Sequence, residues 1–195
     1  MPEPGCAAVI LAAGASTRLG QPKQLVVVKE EPLLARTTRM ALQSGYAPII
    51  VVTGFEQEKM QAALAGLPVK FVHNPDWREG MCSSLRCGIQ ALDFSTKDAL
   101  LLVCDQVALS VEFLCELLHV HRLHERPITA ARYEGRLGVP AIFPAAFFPD
   151  LCEIKGDRGA RGLLESHANE VTEIEFAAGA VDLDTPEQLK RLQNE

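Results

Sequence analysis

The chain has 195 residues, 48% of them hydrophobic and 23% charged, with a formal net charge of -6. That length and apolar content suit one packed domain over residues 1–195 and exclude a disordered chain, while the acidic balance argues against a nucleic-acid binder, which needs a basic face. The longest apolar runs, such as DALLLVCDQVAL, are too short to span a bilayer, and the opening MPEPG lacks the basic start and apolar run of a signal peptide, so a cytoplasmic location is expected.

In chain order, CAAVILAA (6–13) reads as a strand, 32–45 as a helix stopping near Gly45, and PIIVVTG (48–54) as a strand. A helix over 56–66, a strand over 68–74 and a helix over 83–92 follow. DALLLVCDQ (98–106) reads as a strand and 110–124 as a helix with Ser110 placed to cap it. Strands are expected at 127–134, 139–143 and 170–176, and helices at 159–167 and 186–193. Strands apolar throughout, separated by helices, predict a mostly parallel sheet with helices on both faces, a three-layer Rossmann-like α/β fold. The six cysteines show neither a CxxC pair nor zinc-ligand spacing and read as reduced thiols that pack as small hydrophobes.

In such a sheet, ligands bind beyond the C-terminal ends of the strands. The loop leaving the first strand therefore carries the chemistry. Leu11, Ala12, Ala13 and Gly14 allow a ligand close to the backbone, whose N–H groups can form an anion-binding nest. Arg18 and Lys23 add fixed positive charge, so a polyphosphate fits; the alternative is a small-residue turn with solvated charges. The dinucleotide pattern G-x-G-x-x-G is absent, which disfavours a nicotinamide dehydrogenase. G-x-x-x-x-G-K-[ST] is absent too, because Lys23 lies three residues past Gly20 with no hydroxyl after it.

Asp105 ends an apolar strand, badly placed for a core and well placed for a crevice, where a carboxylate suits Mg²⁺ beside phosphate oxygens; a plain turn into the next helix is the other reading. Asp182 and Asp184 share a face if VDLDT is extended. Thr185, Pro186 and Gln188 form a capping box that accounts for Thr185 to Gln188 and for Asp184 at most, leaving Asp182 as the favoured second ligand and Asp184 in reserve. Gly80, Ser83 and Ser84 precede a helix, with either serine a natural cap. In GDRGAR, Asp157 can cap a short helix, while Arg158 and Arg161 have the fork geometry that holds a phosphate. The HVHRLH run (119–124) reads as a wet helix end, and Trp77 and His73 as packing residues near the site.

LAAGASTRLGQPKQL (11–25) resembles the signature L-A-[AG]-G-x-[SG]-x-R-[ML]-G-x-x-K-x-L of nucleotidyltransferases that include the molybdenum cofactor enzymes. NPDWREGMCSSLRCGI (74–89), LLVCDQV (101–107), GVPAIF (138–143), GDRGAR (156–161) and VDLDTPEQL (181–189) are similar to the MocA-like molybdenum cofactor cytidylyltransferases, in family order across nearly the whole chain. The resemblance implies transfer of CMP from CTP to the terminal phosphate of molybdenum-bound molybdopterin, with release of pyrophosphate. It puts the triphosphate against Leu11 to Gly14 with Arg18 and Lys23 on its oxygens, Asp105 on the metal, and the 80–84 loop near base and ribose. A recipient molybdoenzyme or its chaperone would be the onward partner. The family's motif usually reads C-D-Q-P; here Val107 replaces the proline, keeping the carboxylate and removing the ring that stiffens the loop. Other readings are guanylyl or other nucleotidyl transfer to a different phosphorylated acceptor such as a sugar phosphate, and a non-catalytic protein that delivers cofactor.

Overall fold

The first strand, β1 (Ala7–Ala12), is apolar on both faces because both are covered. Ala8, Ile10 and Ala12 point into one cluster, packed by α1 (Leu33–Gln43), α2 (Gln57–Ala63) and α4 (Val111–Leu123). Val9 and Leu11 point into the other, packed by α3 (Met81–Gln90), α5 (Phe148–Glu153) and α6 (Arg161–Ser166). Side chains alternate along a strand, so one six-residue run feeds both cores. The structure, a computed structural model, describes residues 5–124, 127–156, 159–180, 183, 185 and 187–189.

Two short strands, β2 (Val27–Val28) and β3 (Glu31–Pro32), pair antiparallel ahead of α1. The remaining strands are β4 (Ile49–Thr53), β5 (Val69–His73), β6 (Asp98–Val103), β7 (Ile128–Tyr133), β8 (Arg136–Pro144) and β9 (Val171–Glu175). With β1 they form one seven-stranded sheet in the order β5-β4-β1-β6-β8-β7-β9. β1 pairs parallel with β4 and with β6. The chain moves from β1 to β4 and β5 on one side, then crosses to β6 on the other. The gap between the ends of β1 and β6 is thus a topological switch point.

The expected α/β sheet with helices on both faces is present, and it is mostly parallel. β8 is the exception, antiparallel to both β6 and β7. The cause is local. Glu134 and Gly135 take φ of 49° and 72° in a two-residue connection, and so short a link can only fold a strand back on its neighbour. β8 begins at Arg136, three residues before the expected strand. Segment 148–153, to which the sequence analysis assigns no element, forms α5 with Pro149 in its first turn, where a missing N–H costs nothing.

Two expected caps separate here. Ser110 does cap α4, its Oγ accepting from Phe113 N at 3.2 Å. Ser83 and Ser84 do not cap α3, which starts at Met81 with Gly80 as its N-cap at φ 103°. A glycine enters that turn without strain, and the serines, already inside the helix, accept from Asn74 Nδ2 at 2.9 Å each. His121 is likewise drawn away from the wet helix end expected for the HVHRLH run. Its Nδ1 lies 3.1 Å from Thr129 Oγ1 and its Nε2 3.3 Å from Asp98 Oδ1. Among the described residues no helix is long and apolar enough to cross a membrane.

α3 sits unusually close to the sheet at Gly88, where a Cβ would lie 2.4 Å from Val9 Cγ1 and 2.9 Å from Val52 Cγ2. Alanine favours a helix by about 1 kcal/mol over glycine, but overpacking of this kind costs typically 1–3 kcal/mol. Gly88→Ala should therefore lower unfolding free energy by about 1 kcal/mol or more in urea titration, the opposite of the helix-propensity expectation.

Candidate active site

At the switch point lies a cavity of about 310 Å³, at the small end of the range for ligand sites. Leu11, Ala13, Gly14, Arg18, Lys23, Gly80, Ser84 and Asp105, all singled out from the sequence, line it. Ala12 is buried beneath it. Ser83 stands behind the wall, donating to the carbonyls of Asp76 and Gly80 at 2.9 Å each. Arg161 is not in the lining; its Nε donates to Glu165 Oε1 at 3.1 Å along α6. Arg158, Asp182 and Asp184 lie outside the described residues.

The phosphate-type loop after β1 is held by bonds that leave its inner surface open. Leu19 N donates to Ser16 O at 3.0 Å and Lys23 N to Ser16 Oγ at 3.2 Å, with Ser16 itself at φ 51°. Gln24, buried and not foreseen, donates Nε2 to Gly14 O at 2.9 Å and to Ala12 O at 3.4 Å. One side chain thus ties down the carbonyls on either side of Ala13. A Cβ on Gly14 would meet no protein atom within 4 Å, so the space a side chain would take is left beside exposed backbone.

Across the cavity floor Lys23 Nζ donates to Asp105 Oδ2. Asp105 Oδ1 is buried and has no hydrogen-bond partner among the described residues. An unsatisfied carboxylate oxygen is costly in a protein interior, and a hard cation that prefers oxygen ligands fits it. Leu183 N donates to Asp105 O at 3.1 Å, and Leu183 is buried with Leu19, Val26, Val28 and Leu33. Position 183 therefore abuts the end of β6. Two residues on, the expected capping box forms: Gln188 N donates to Thr185 Oγ1 at 3.3 Å and Thr185 N to Gln188 Oε1 at 2.8 Å.

Residues 8–171 match the family described as the MobA-like NTP transferase domain. The chain belongs to that family. It is 32% identical to nicotine blue oxidoreductase of Paenarthrobacter nicotinovorans, over 94% of each chain. Purine catabolism protein PucB of Bacillus subtilis (strain 168) is 29% identical, over 96% of each. Molybdenum cofactor cytidylyltransferase of Escherichia coli (strain K12) is 24% identical, over 92% of this chain and 91% of that one. Among solved structures, Rv0371c from Mycobacterium tuberculosis H37Rv superposes with a TM-score of 0.84 at 28% identity, over 98% of each chain. The same protein in complex with manganese gives 0.78 at 28%, over 98% of this chain and 99% of that one. As a MobA-like domain the chain is a nucleotidyltransferase by family.

Trp77 does more in this MobA-like site than the packing expected of it. It walls the cavity, with the Arg78 guanidinium 4.4 Å above its ring and Phe55 5.6 Å away. Gly54 permits this, since a Cβ there would stand 2.7 Å from Trp77 Cβ and 2.8 Å from Ala13 O. His73, by contrast, is exposed at the end of β5 and outside this cavity. Cys104 lies in the cavity floor, but burial, reinforced by the nearby Asp105 charge, pushes its thiol far above the ordinary value. A thiol so disfavoured as thiolate is no nucleophile at neutral pH.

Burial also raises Cys6 and Tyr46. All three groups stay neutral in the fold and ionise more readily once unfolded. Their contribution is whole below the ordinary values, 9.0 for the thiols and 10.0 for the phenol, and is lost as pH rises beyond them. Denaturant titrations from pH 7 to 11 should show stability flat to about pH 8.5 and then falling, by up to about 1.4 kcal/mol per pH unit for each group.

Proposed function

We propose that this chain transfers CMP from CTP to the phosphate of molybdenum cofactor, releasing pyrophosphate. The observation that carries the reading is the opposed pair at the switch point: a lysine on the β1 loop and a buried carboxylate at the end of β6, beside open backbone at Gly14. A triphosphate and a divalent cation supply each member with a new partner of opposite charge.

The acceptor phosphate is already an anion near neutral pH, so no strong general base is required. Its oxygen attacks the α-phosphorus of CTP, the new P–O bond forms, and the bond to the β-phosphate oxygen breaks as pyrophosphate leaves. In this reading the backbone of Leu11 to Gly14 takes the triphosphate, and Arg18 and Lys23 neutralise its oxygens and hold charge on the leaving group. Gly80, Ser83 and Ser84 belong to the nucleoside side, Ser83 through the wall it supports. Arg158 and Arg161 receive the acceptor's phosphate; for Arg161 that means leaving Glu165. Mg²⁺, held by Asp105 with Asp182 or Asp184 as second carboxylate, would offset the charge that the acceptor must approach. The reaction is read as cytoplasmic, with a molybdoenzyme or its chaperone receiving the product.

A second reading comes from the higher identity to nicotine blue oxidoreductase and to PucB. There the same cavity serves another substrate, and in the oxidoreductase case releases no pyrophosphate. Pyrophosphate release from each nucleoside triphosphate, with and without molybdenum cofactor, separates the two. Release that requires both CTP and the cofactor supports the proposal; turnover independent of the cofactor rejects that acceptor.

The base preference is drawn from Ala13, one of the residues that line the cavity. The signature allows alanine or glycine there, and the extra methyl of alanine narrows the crevice beside the nucleotide in favour of a pyrimidine. CTP should be preferred over GTP by about tenfold or more in kcat/KM, and equal efficiency with both would refute the role of Ala13. Lys23→Ala should lower turnover on the order of a hundredfold or more while leaving the melting temperature near that of the parent. Near-normal turnover would reduce Lys23 to a surface charge.

A further inference from the structure

Asp105 is followed at once by a tight turn. Leu109 N donates to Gln106 O at 3.0 Å, closing residues 106–109, and Ser110 then caps α4. Arg36, from α1, reaches across 71 residues of sequence to this turn. Its Nη1 donates to Val107 O at 2.7 Å and its Nη2 to Leu109 O at 3.4 Å. Among the described residues both of its hydrogen bonds go to this one turn. Carbonyls two residues apart are held by separate nitrogens of one planar fork, a span that a lysine ammonium does not match. The Val107 side chain meanwhile packs on the cluster of Leu19, Val26, Val28, Leu33 and Leu183.

We propose that Arg36 is a positioning residue: it fixes the 106–109 turn, and through it the aim of the Asp105 carboxylate, in place of the stiffening that proline at position 107 would provide. This rests on the reading of Asp105 as the carboxylate that meets the metal–nucleotide. The turn makes the substitution explicit. Residue 107 occupies its second position, where proline's fixed φ suits the common turn types, and the closing bond uses the N–H of Leu109, not of residue 107. A valine there does not fix φ as a proline ring would, and the guanidinium holds the carbonyls of the turn from outside.

The test compares wild type, Arg36→Met, Val107→Pro and the double variant. Mn²⁺ binding in the presence of CTP is read by calorimetry, amide exchange over 105–110 by mass spectrometry, and melting temperature alongside. Arg36→Met should weaken Mn²⁺ binding about tenfold, the usual scale for a group that orients a metal ligand, and speed exchange over 105–110. Adding Val107→Pro should restore both, while Val107→Pro alone changes neither. Arg36→Lys, which keeps the stem and one donor, should fall between and serves if Arg36→Met does not fold. Unchanged Mn²⁺ binding in Arg36→Met, whatever its melting temperature, overturns the proposal; so does a loss that Val107→Pro fails to repair. A wild type that binds neither CTP nor Mn²⁺ is a different failure, that of the site itself, and takes this role with it.

Discussion

β1 is hemmed in on every side, and the site follows from that. It has a parallel partner on each edge and a helical layer on each face. Its backbone is therefore fully committed until Ala12, and its chain can leave the sheet only at the C-terminal end. There the next parallel strands diverge to opposite sides, which opens a crevice that no side chain of the sheet fills. Gly88 shows how tight the enclosure is, for the helix above β1 rests almost directly on Val9 and Val52.

Within the crevice, neutral groups do the holding and charged groups are kept for the ligand side. Gln24 ties the first loop through two carbonyls, Asn74 ties the opposite wall through Ser83 and Ser84, and Gln106, next to Asp105, donates to Val139 O at 2.8 Å. Buried amides are well suited to this because they donate and accept without carrying charge into the cavity. Lys23 and Asp105 neutralise one another across the space that remains. An exposed pair of this kind contributes little to stability; enclosed in a cavity, it keeps two opposite charges ready to exchange partners.

Much of this could be read from residues close together in the chain. The apolar strands, the Ser110 cap, the Thr185–Gln188 box and the lining from Leu11 to Lys23 each express a rule that acts within a few positions. Ser83 and Ser84 misled because a local rule was available and a distant partner overrode it: Asn74 claims both hydroxyls, and Gly80 supplies the turn. β8 extends three residues beyond the expected strand because the hairpin turns at Glu134 and Gly135, and Glu134 is an unusual residue for a left-handed turn. Gln24 and Arg36 had no local signature at all, since their partners are carbonyls, and a carbonyl is present at every position. Which one lies in reach is decided by the fold.

Trp77 is the chain's sole tryptophan, and it stands in the wall of the cavity with a guanidinium over its ring. The protein therefore carries one indole, located at the place of interest, which red-edge excitation selects over Tyr46 and Tyr133. Its emission is uncontaminated by indoles elsewhere, so both colour and intensity answer to what enters the crevice and to any shift of Arg78. Occupancy can be followed by light alone, in unlabelled protein and on the timescale of mixing.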